Sequence, residues 1–388
     1  LGSFAPESTF FPADGGINEV GTLDNQAYSF FAQADWHIVD NLTATFGLNY
    51  TRDKKRASLF QLNTDEFSSL DLELLATLTA NPDLLDLQAL QFLAPLQGYP
   101  NVIEDGRSDD DKLTYAFRLA FDVNDDLSIY GGVSTGFKAS SWNLSRDSKP
   151  FADDLAGLVG EGIAVNNLSE GTRFAEPEEA TVIEFGLKAV FERGSLNVAI
   201  FDQKIEGFQS NVFLGTAFNL TNAGEQSTKG IEFDLAYYPI DALKLTLAGT
   251  FLDPTYDSFE GAATPSGIGS LTGDSPAGIH EVSISTSATY NFILNNGWDA
   301  YVRADYQYDD EVPTNDNVPA SIASEDTKNV NMSAGVAMDD GWSVSVWGRN
   351  ITNHATLTTA FPTVGNTGGY FGYRNQPRTY GLTAAKAF

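Results

Sequence analysis

The sequence predicts an all-β fold: an antiparallel transmembrane β-barrel with about fourteen strands in this chain. Three observations lead there. Apolar residues recur at every second position in runs of about ten residues, the length a tilted strand needs to cross a bilayer. The connections fall into two classes, tight turns and long polar loops, and the two classes alternate strictly. Aromatic residues collect at both ends of the runs.

The runs follow one another along the whole chain. Tyr28, Phe30, Ala32, Ala34 and Trp36 alternate with Ser29, Gln33, Asp35 and His37. The stretch DNLTATFGLNYT, Asp40 to Thr51, places Leu42, Ala44, Phe46, Leu48 and Tyr50 on one face and Thr43, Thr45, Gly47, Asn49 and Thr51 on the other. The same alternation returns from Leu113 to Asp122, Ile183 to Phe191, Ile231 to Tyr237, Leu243 to Ala248, Val282 to Phe292, Tyr301 to Tyr306 and Ser343 to Val346. Such a face fits the core of a soluble sandwich as well as lipid, so periodicity alone does not choose between them.

The connections choose. Turn residues stand at Val39, Asn124, Arg193, Pro239, Asn295 and Asp339. Long polar loops cover roughly 53–112, 139–179, 208–226, 255–278, 310–327 and 352–376. A sandwich has no reason to gather all its long loops at one end. A barrel of the outer-membrane type does. Trp36, Phe121, Phe191, Tyr237, Phe292, Trp298 and Trp342 lie next to the tight turns, and Tyr50, Phe137, Phe251, Tyr306 and Tyr373 near the long loops. These are the positions of two interfacial girdles. A closed barrel is the sheet that hydrocarbon tolerates, because an open edge leaves backbone groups unpaired.

Composition is compatible and excludes other classes. With 42% hydrophobic residues the chain is too apolar for disorder. It has no apolar run near the roughly 18 residues of a spanning helix. A net charge of -30 opposes nucleic-acid binding. The absence of Cys removes thiol catalysis and Cys-ligated zinc. His37, His280 and His354 are scattered and read as strand-end or loop residues rather than metal ligands. Acidic stretches such as EDGRSDDDK (Glu104 to Lys112) read as solvated loop. No nucleophile–base set or phosphate loop emerges, so neither an enzyme nor a cofactor is expected.

One loop departs from the dyad pattern. Leu70 to Leu96 spaces its leucines helically and is divided by Pro82, which predicts one or two short amphipathic helices. Their leucines either pack within the loop or form a lid or partner contact.

Several segments resemble one family, the TonB-dependent outer-membrane receptors, in the C-terminal region of their barrel. They are LSIYGGVSTGFKASSWN (Leu127 to Asn143), EPEEATVIEFGLKAVF (Glu176 to Phe191), NLTNAGEQSTKGIEFDLAY (Asn219 to Tyr237), VWGRNITNHA (Val346 to Ala355) and QPRTYGLTAAKAF (Gln376 to Phe388). The resemblance implies a barrel of about 22 strands filled by an N-terminal plug domain. This chain, beginning at Leu1 without Met or a leader, then reads as a plugless fragment, residues 1–388 forming one barrel region. A smaller barrel that closes on itself is the other possibility. By parity Arg118, Glu184, Lys188, Glu232, Asp234, Arg303 and Arg349 face the lumen, where the resemblance places the plug. The terminal Phe388, with Tyr380, Leu382 and Ala384 on its face, resembles the signal read by the barrel assembly machinery; Lys386 departs from it.

The function implied is uptake of a scarce nutrient across the outer membrane of a Gram-negative bacterium, such as an iron–siderophore, a vitamin or a glycan. The plug would link the barrel to the TonB energy-coupling complex. The partners implied are outer-membrane lipid and lipopolysaccharide, the plug and a small-molecule ligand. Phe137, Trp142, Asn143 and Arg146 are the candidate ligand contacts, being aromatic and polar residues just beyond a strand. A passive porin-like channel and a soluble secreted β-sandwich or adhesin remain open.

Overall fold

The computed structural model describes residues 15–64, 66–91, 98–145, 148–163, 173–213, 218–363, 366 and 368–387. Thirteen strands form one antiparallel sheet in chain order, each bonded to its sequence neighbours in the sheet. They are β1 (Ile17–Val39), β2 (Leu42–Asn63), β3 (Arg107–Asn124), β4 (Leu127–Lys138), β5 (Glu178–Phe191), β6 (Gly194–Glu206) and β7 (Glu225–Ile240). Then come β8 (Leu243–Ser258), β9 (Val282–Ile293), β10 (Asp299–Pro313), β11 (Ser324–Ala337), β12 (Trp342–Arg349) and β13 (Thr379–Lys386). The sheet is open, with β1 and β13 at its edges.

Every expected tight turn joins consecutive strands at one rim, and every long connection lies at the other. Gly341 shows why turn chemistry matters. It sits at φ +84, and a Cβ there would lie 2.7 Å from the Ala387 carbonyl oxygen. The long connections are not plain loops. Three carry small hairpins of their own: Gln209–Phe213 with Phe218–Asn222, Glu260–Thr264 with Gly267–Ser270, and Leu357–Pro362 with Tyr370–Arg374.

Register fixes the faces. Phe46 stands opposite Ala34 of β1 and Phe117 of β3, and Thr45 opposite Asp35 and Arg118. One face is therefore apolar and the other polar across the whole sheet. The apolar face is bare: Phe30 is 72% exposed, Phe185 58% and Leu382 68%. Between the rims, the buried apolar residues are small: Ala44, Ala199 and Ala300. A sandwich would bury the large residues between two sheets. The single sheet here leaves them facing outward, which rules that alternative out.

Among the described residues, conventional cores exist only at the long-loop rim. Ala57, Leu59 and Tyr99 pack with Trp142 and Leu144; Ala223, Tyr256, Phe259, Ala262 and Leu271 with Phe208; Val318, Ala323 and Ala360 with Leu357 and Tyr370. β2 and β3 run past their periodic segments into this layer, so the first long connection spans 64–106 rather than 53–112. It holds α1 (Leu72–Thr79), capped by the Asp71 carboxylate accepting from the Leu74 N–H at 2.9 Å. A 3₁₀ segment, Pro82–Leu90, follows. Leu72, Ala76 and Leu84 are buried within the loop, while Leu74 and Leu78 remain exposed. A second helix, α2 (Ala152–Gly160), lies in the connection from β4 to β5.

Candidate functional site: the inner face and the loop layer

Two regions could meet a ligand: the polar face of the sheet and the loops above it. On the polar face, alternation along each strand and register between strands bring residues far apart in sequence into rows. Arg118 of β3, Gly132 of β4 and Glu184 of β5 stand in one row. Two residues along, Tyr130 lies opposite Gly186, and a Cβ on Gly186 would meet that ring at 2.5 Å. The bare glycine lets the Tyr130 ring lie flat across the strand. Arg118 then stacks on the ring at 4.1 Å from its centre, and the Lys188 ammonium lies 5.8 Å from it.

The row continues. Lys188 faces Asn197 of β6, which faces Asp234 of β7. The Asn197 amide donates to both Asp234 carboxylate oxygens at 3.0 Å. Glu232 stands next along β7, opposite Ala199 and Thr250. Tyr130, Lys188, Asn197, Glu232, Asp234 and Thr250 border a concavity of about 560 Å³. Arg118 and Glu184 flank it through Tyr130, so five of the seven charged residues expected on this face form one neighbourhood.

The other two form a second group. The Arg303 Nε bonds both Asp305 carboxylate oxygens at 3.0 Å, and its Nη1 donates to Thr289 at 3.3 Å. Arg349 lies 5.2 Å over the Trp347 ring. Both arginines border a concavity of about 460 Å³ with Asn331 and Ser333. The inner face thus presents fixed charges of both signs among hydroxyl and amide groups. Arg303 is ion-paired with Asp305, Arg118, Lys188 and Arg349 lie over aromatic rings, and Asp234 accepts from an amide.

The loop layer is organised around a residue that alternation does not mark. Arg173 is fully buried and pairs with Glu104 at 3.1 Å, joining the connection after β4 to the one after β2. It also lies 4.3 Å over the Tyr99 ring. Burial raises the Glu104 carboxyl above its ordinary range and lowers the Arg173 guanidinium, each partly offset by its partner. Trp142 sits at the centre of the rings: 5.6 Å from Tyr99, 5.3 Å from Phe174 and 6.1 Å from Phe151. Its indole N–H donates to Ser108 at 3.1 Å. Asn143 accepts at its carbonyl from the Tyr99 hydroxyl and donates its N–H to the Arg173 carbonyl. Trp142 and Asn143 therefore hold two loops together. Phe137 stands apart, half-buried opposite Glu179 of β5. Arg146 and Phe388 lie outside the described residues.

A second polar tie crosses the same layer. The Tyr256 hydroxyl donates to Asp316 at 2.9 Å, and the other oxygen of that carboxylate accepts from the Ala277 N–H at 2.9 Å. Burial raises the pKa of both Asp316 and Tyr256. Neither tie has a signature in sequence. Each joins residues from different long connections, where no periodicity links the partners.

A single sheet with an apolar outside, a charged inside and all its tight turns at one rim is the wall of a membrane-spanning β-barrel. Residues 2–351 match the family model for the TonB dependent receptor-like β-barrel, and the chain belongs to that family. The barrels of this family are Gram-negative outer-membrane proteins. No curated protein matches the sequence. Among solved structures it is similar to the ferric yersiniabactin uptake receptor FyuA of Yersinia pestis, at 14% identity and a TM-score of 0.68 over 95% of this chain and 46% of that one. The siderophore receptor PiuA of Acinetobacter baumannii gives 15% identity and a TM-score of 0.62 over 94% and 43%. The copper transporter OprC gives 11% and 0.61 over 94% and 49%. At such identities the likeness is one of fold. The chain spans about half the length of these proteins.

Proposed function

We propose that this chain is part of the wall of an outer-membrane receptor that takes up a scarce nutrient, an iron–siderophore, vitamin or glycan, using energy relayed by the TonB complex. It does so by binding and gating, without covalent chemistry. The reading rests above all on the charged inner face enclosed by a lipid-facing exterior. Arg118, Glu184, Lys188, Glu232, Asp234, Arg303 and Arg349 then grip an N-terminal plug domain and its hydration water. The loop layer captures the small-molecule ligand from outside. In this scheme Phe137 and Arg146 touch the ligand, and Trp142 and Asn143 set the shape of the mouth. The barrel assembly machinery reads the C-terminal strand ending at Phe388.

The test uses the full receptor in its own outer membrane. Reversing the inner charges with Glu232→Lys and Asp234→Lys is expected to abolish TonB-dependent uptake while the barrel still folds, judged by its changed gel mobility before and after boiling. The purified variant is expected to conduct ions across planar bilayers where the unaltered receptor stays closed. Solute passage through the unaltered receptor in cells lacking TonB would replace this reading with a porin-like channel.

A further inference from the structure

A long loop at the mouth of a barrel moves by itself only where little holds it to its neighbours. Six long connections stand side by side at one rim of this sheet, and every neighbouring pair is tied. The ties run without a gap from the first connection to the last. Between the connections after β2 and β4 stand the buried Arg173–Glu104 pair and the Tyr99–Trp142 ring contact. Ile103 of the first connection also packs on Gly157 of α2, where a Cβ would lie 3.2 Å from it.

Two side-chain amides make the second junction, between the connections after β4 and β6. The Gln209 amide donates to the Ala139 and Glu176 carbonyls, both at 2.9 Å, and accepts from the Ser141 hydroxyl at 2.6 Å. Asn222 and Glu176 bond reciprocally: the Asn222 amide donates to the Glu176 carbonyl at 3.0 Å and accepts the Glu176 N–H at 2.8 Å. The third junction is apolar. Phe208 and Ala223, from the connection after β6, share a cluster with Phe259, Ala262 and Leu271 after β8. At the fourth, Asp316 after β10 accepts from the Tyr256 hydroxyl and the Ala277 N–H, and the Gly278 N–H donates to the Pro313 carbonyl at 2.8 Å. At the fifth, Val318 and Ala323 share a cluster with Leu357, Ala360 and Tyr370 after β12, and the Leu357 N–H donates to Glu325 at 2.7 Å.

The junctions are also coupled to one another. A two-residue ladder, Ser141–Trp142 with Phe174–Ala175, links the first to the second, since Trp142 serves one and Ser141 the other. Tyr256 packs in the cluster of the third junction and donates in the fourth. Asp316 of the fourth stands two residues from Val318 of the fifth, and the Thr314 N–H closes that short connection on the Ala323 carbonyl at 3.0 Å. An inner connection is therefore held on both sides. To move alone it must break ties at two junctions, each of which supports the next.

We infer that the six long connections form one continuous collar that moves as a body. The mouth on this side then admits a ligand by fit to a standing opening, and its loops do not fold over the ligand one at a time. Gln209 and Asn222 are the positioning residues of the collar's middle, joining its first two connections to the remaining four. The inference rests on the uptake reading for the presence of a ligand, while the collar itself belongs to this chain.

The test places pairs of spin labels on the full receptor in bilayer nanodiscs and reads their distance distributions by double electron–electron resonance. This chain has no Cys, so each label site in it is a single introduced cysteine. Val102 and Ile322 are exposed and lie in the first and the fifth connection. The pair Val102→Cys with Ile322→Cys is expected to give one narrow distance. Adding Gln209→Ala and Asn222→Ala cuts the second junction, between the labels, and should roughly double the width. The pair Ile268→Cys with Ile322→Cys lies on one side of the cut and should stay as narrow as before. A broad Val102–Ile322 distribution with the amides intact would overturn the proposal. So would an unchanged width after the cut, or equal broadening of the Ile268–Ile322 pair. If the amide variant fails to fold, judged by unchanged gel mobility on boiling, the width with the amides intact decides alone. Narrow widths in a receptor that shows no TonB-dependent uptake would keep the collar and defeat the uptake reading instead.

Discussion

The wall and the loop layer of this molecule solve the same problem in opposite senses. In the wall, large apolar side chains point outward and the buried ones shrink to alanine. In the loop layer the order is that of a water-soluble protein: Leu59, Tyr99, Tyr256 and Phe259 are inside, together with one buried ion pair, Arg173 with Glu104. The wall's stability comes from its ladder and its lipid, since hydrocarbon offers backbone groups no other partner. The loops must carry their own small cores, and they do so at three separate places. A substitution should therefore read out differently according to which solvent its region was built for.

The largest effect is expected where the loop layer hides charge. Arg173→Ala strands Glu104 in a buried site, at a cost of about 3–5 kcal/mol to the local structure. Limited proteolysis should then cut the connections after β2 and β4, while gel mobility on boiling shows an intact wall. The paired change Arg173→Met with Glu104→Leu should restore most of the protection, because it removes both charges at once. Protease resistance unchanged in Arg173→Ala would show that the pair does not tie the loops.

Next comes the wall. Phe46→Arg places a cation on the lipid face midway between the girdles, where it costs about 2–4 kcal/mol. Urea titration of folding into vesicles should register that loss. Leu78→Arg, also at an exposed position but on α1 in the loop layer, should shift stability by about 0.5 kcal/mol or less. Similar costs at the two positions would erase the distinction between the regions.

The two regions were also unequally legible in the sequence. Dyad alternation marked the wall almost strand for strand, because every residue there must choose between lipid and lumen. About fourteen runs were expected, and thirteen strands make up the sheet. Parity alone assigns Arg118, Glu184, Lys188, Glu232 and Asp234 to one face, but which of them become neighbours depends on the register between strands. The loop layer has no such rule. The helical spacing around Pro82 announced α1, but nothing in the pattern announced the small hairpins. Trp142 looked like a ligand contact because an aromatic beyond a strand is ambiguous. Its packing against Tyr99 and Phe174, both distant in sequence, has no signature in the pattern. Tyr130 was passed over because its role depends on the missing side chain of Gly186, on another strand.

The smaller expected effects come from single polar ties, and pH separates them. Burial raises the Asp316 pKa, so the folded loop holds a proton more readily than the unfolded chain does. Its stabilising share is complete below the ordinary carboxylate range. That share declines as pH rises through the interval between the unfolded and the folded pKa. Asp316→Asn should therefore flatten this decline in hydrogen-exchange protection of 274–278. Tyr256→Phe, which removes the donor to the carboxylate, should lower protection by about 1–3 kcal/mol at neutral pH and less in acid.

The smallest effect is expected on the inner face. Tyr130→Leu removes the ring on which Arg118 stacks, at a cost of about 0.5–1 kcal/mol because the site is open to water. Folding into vesicles should barely change. The informative readout is thermal release of the plug in the full receptor. If the stack holds Arg118 in position for the plug, release should occur at a lower temperature in Tyr130→Leu and return toward the starting value in Tyr130→Trp, whose ring is the better platform. Release at the same temperature in all three proteins would mean that Tyr130 merely covers Gly186, and that Arg118 meets its partner without it.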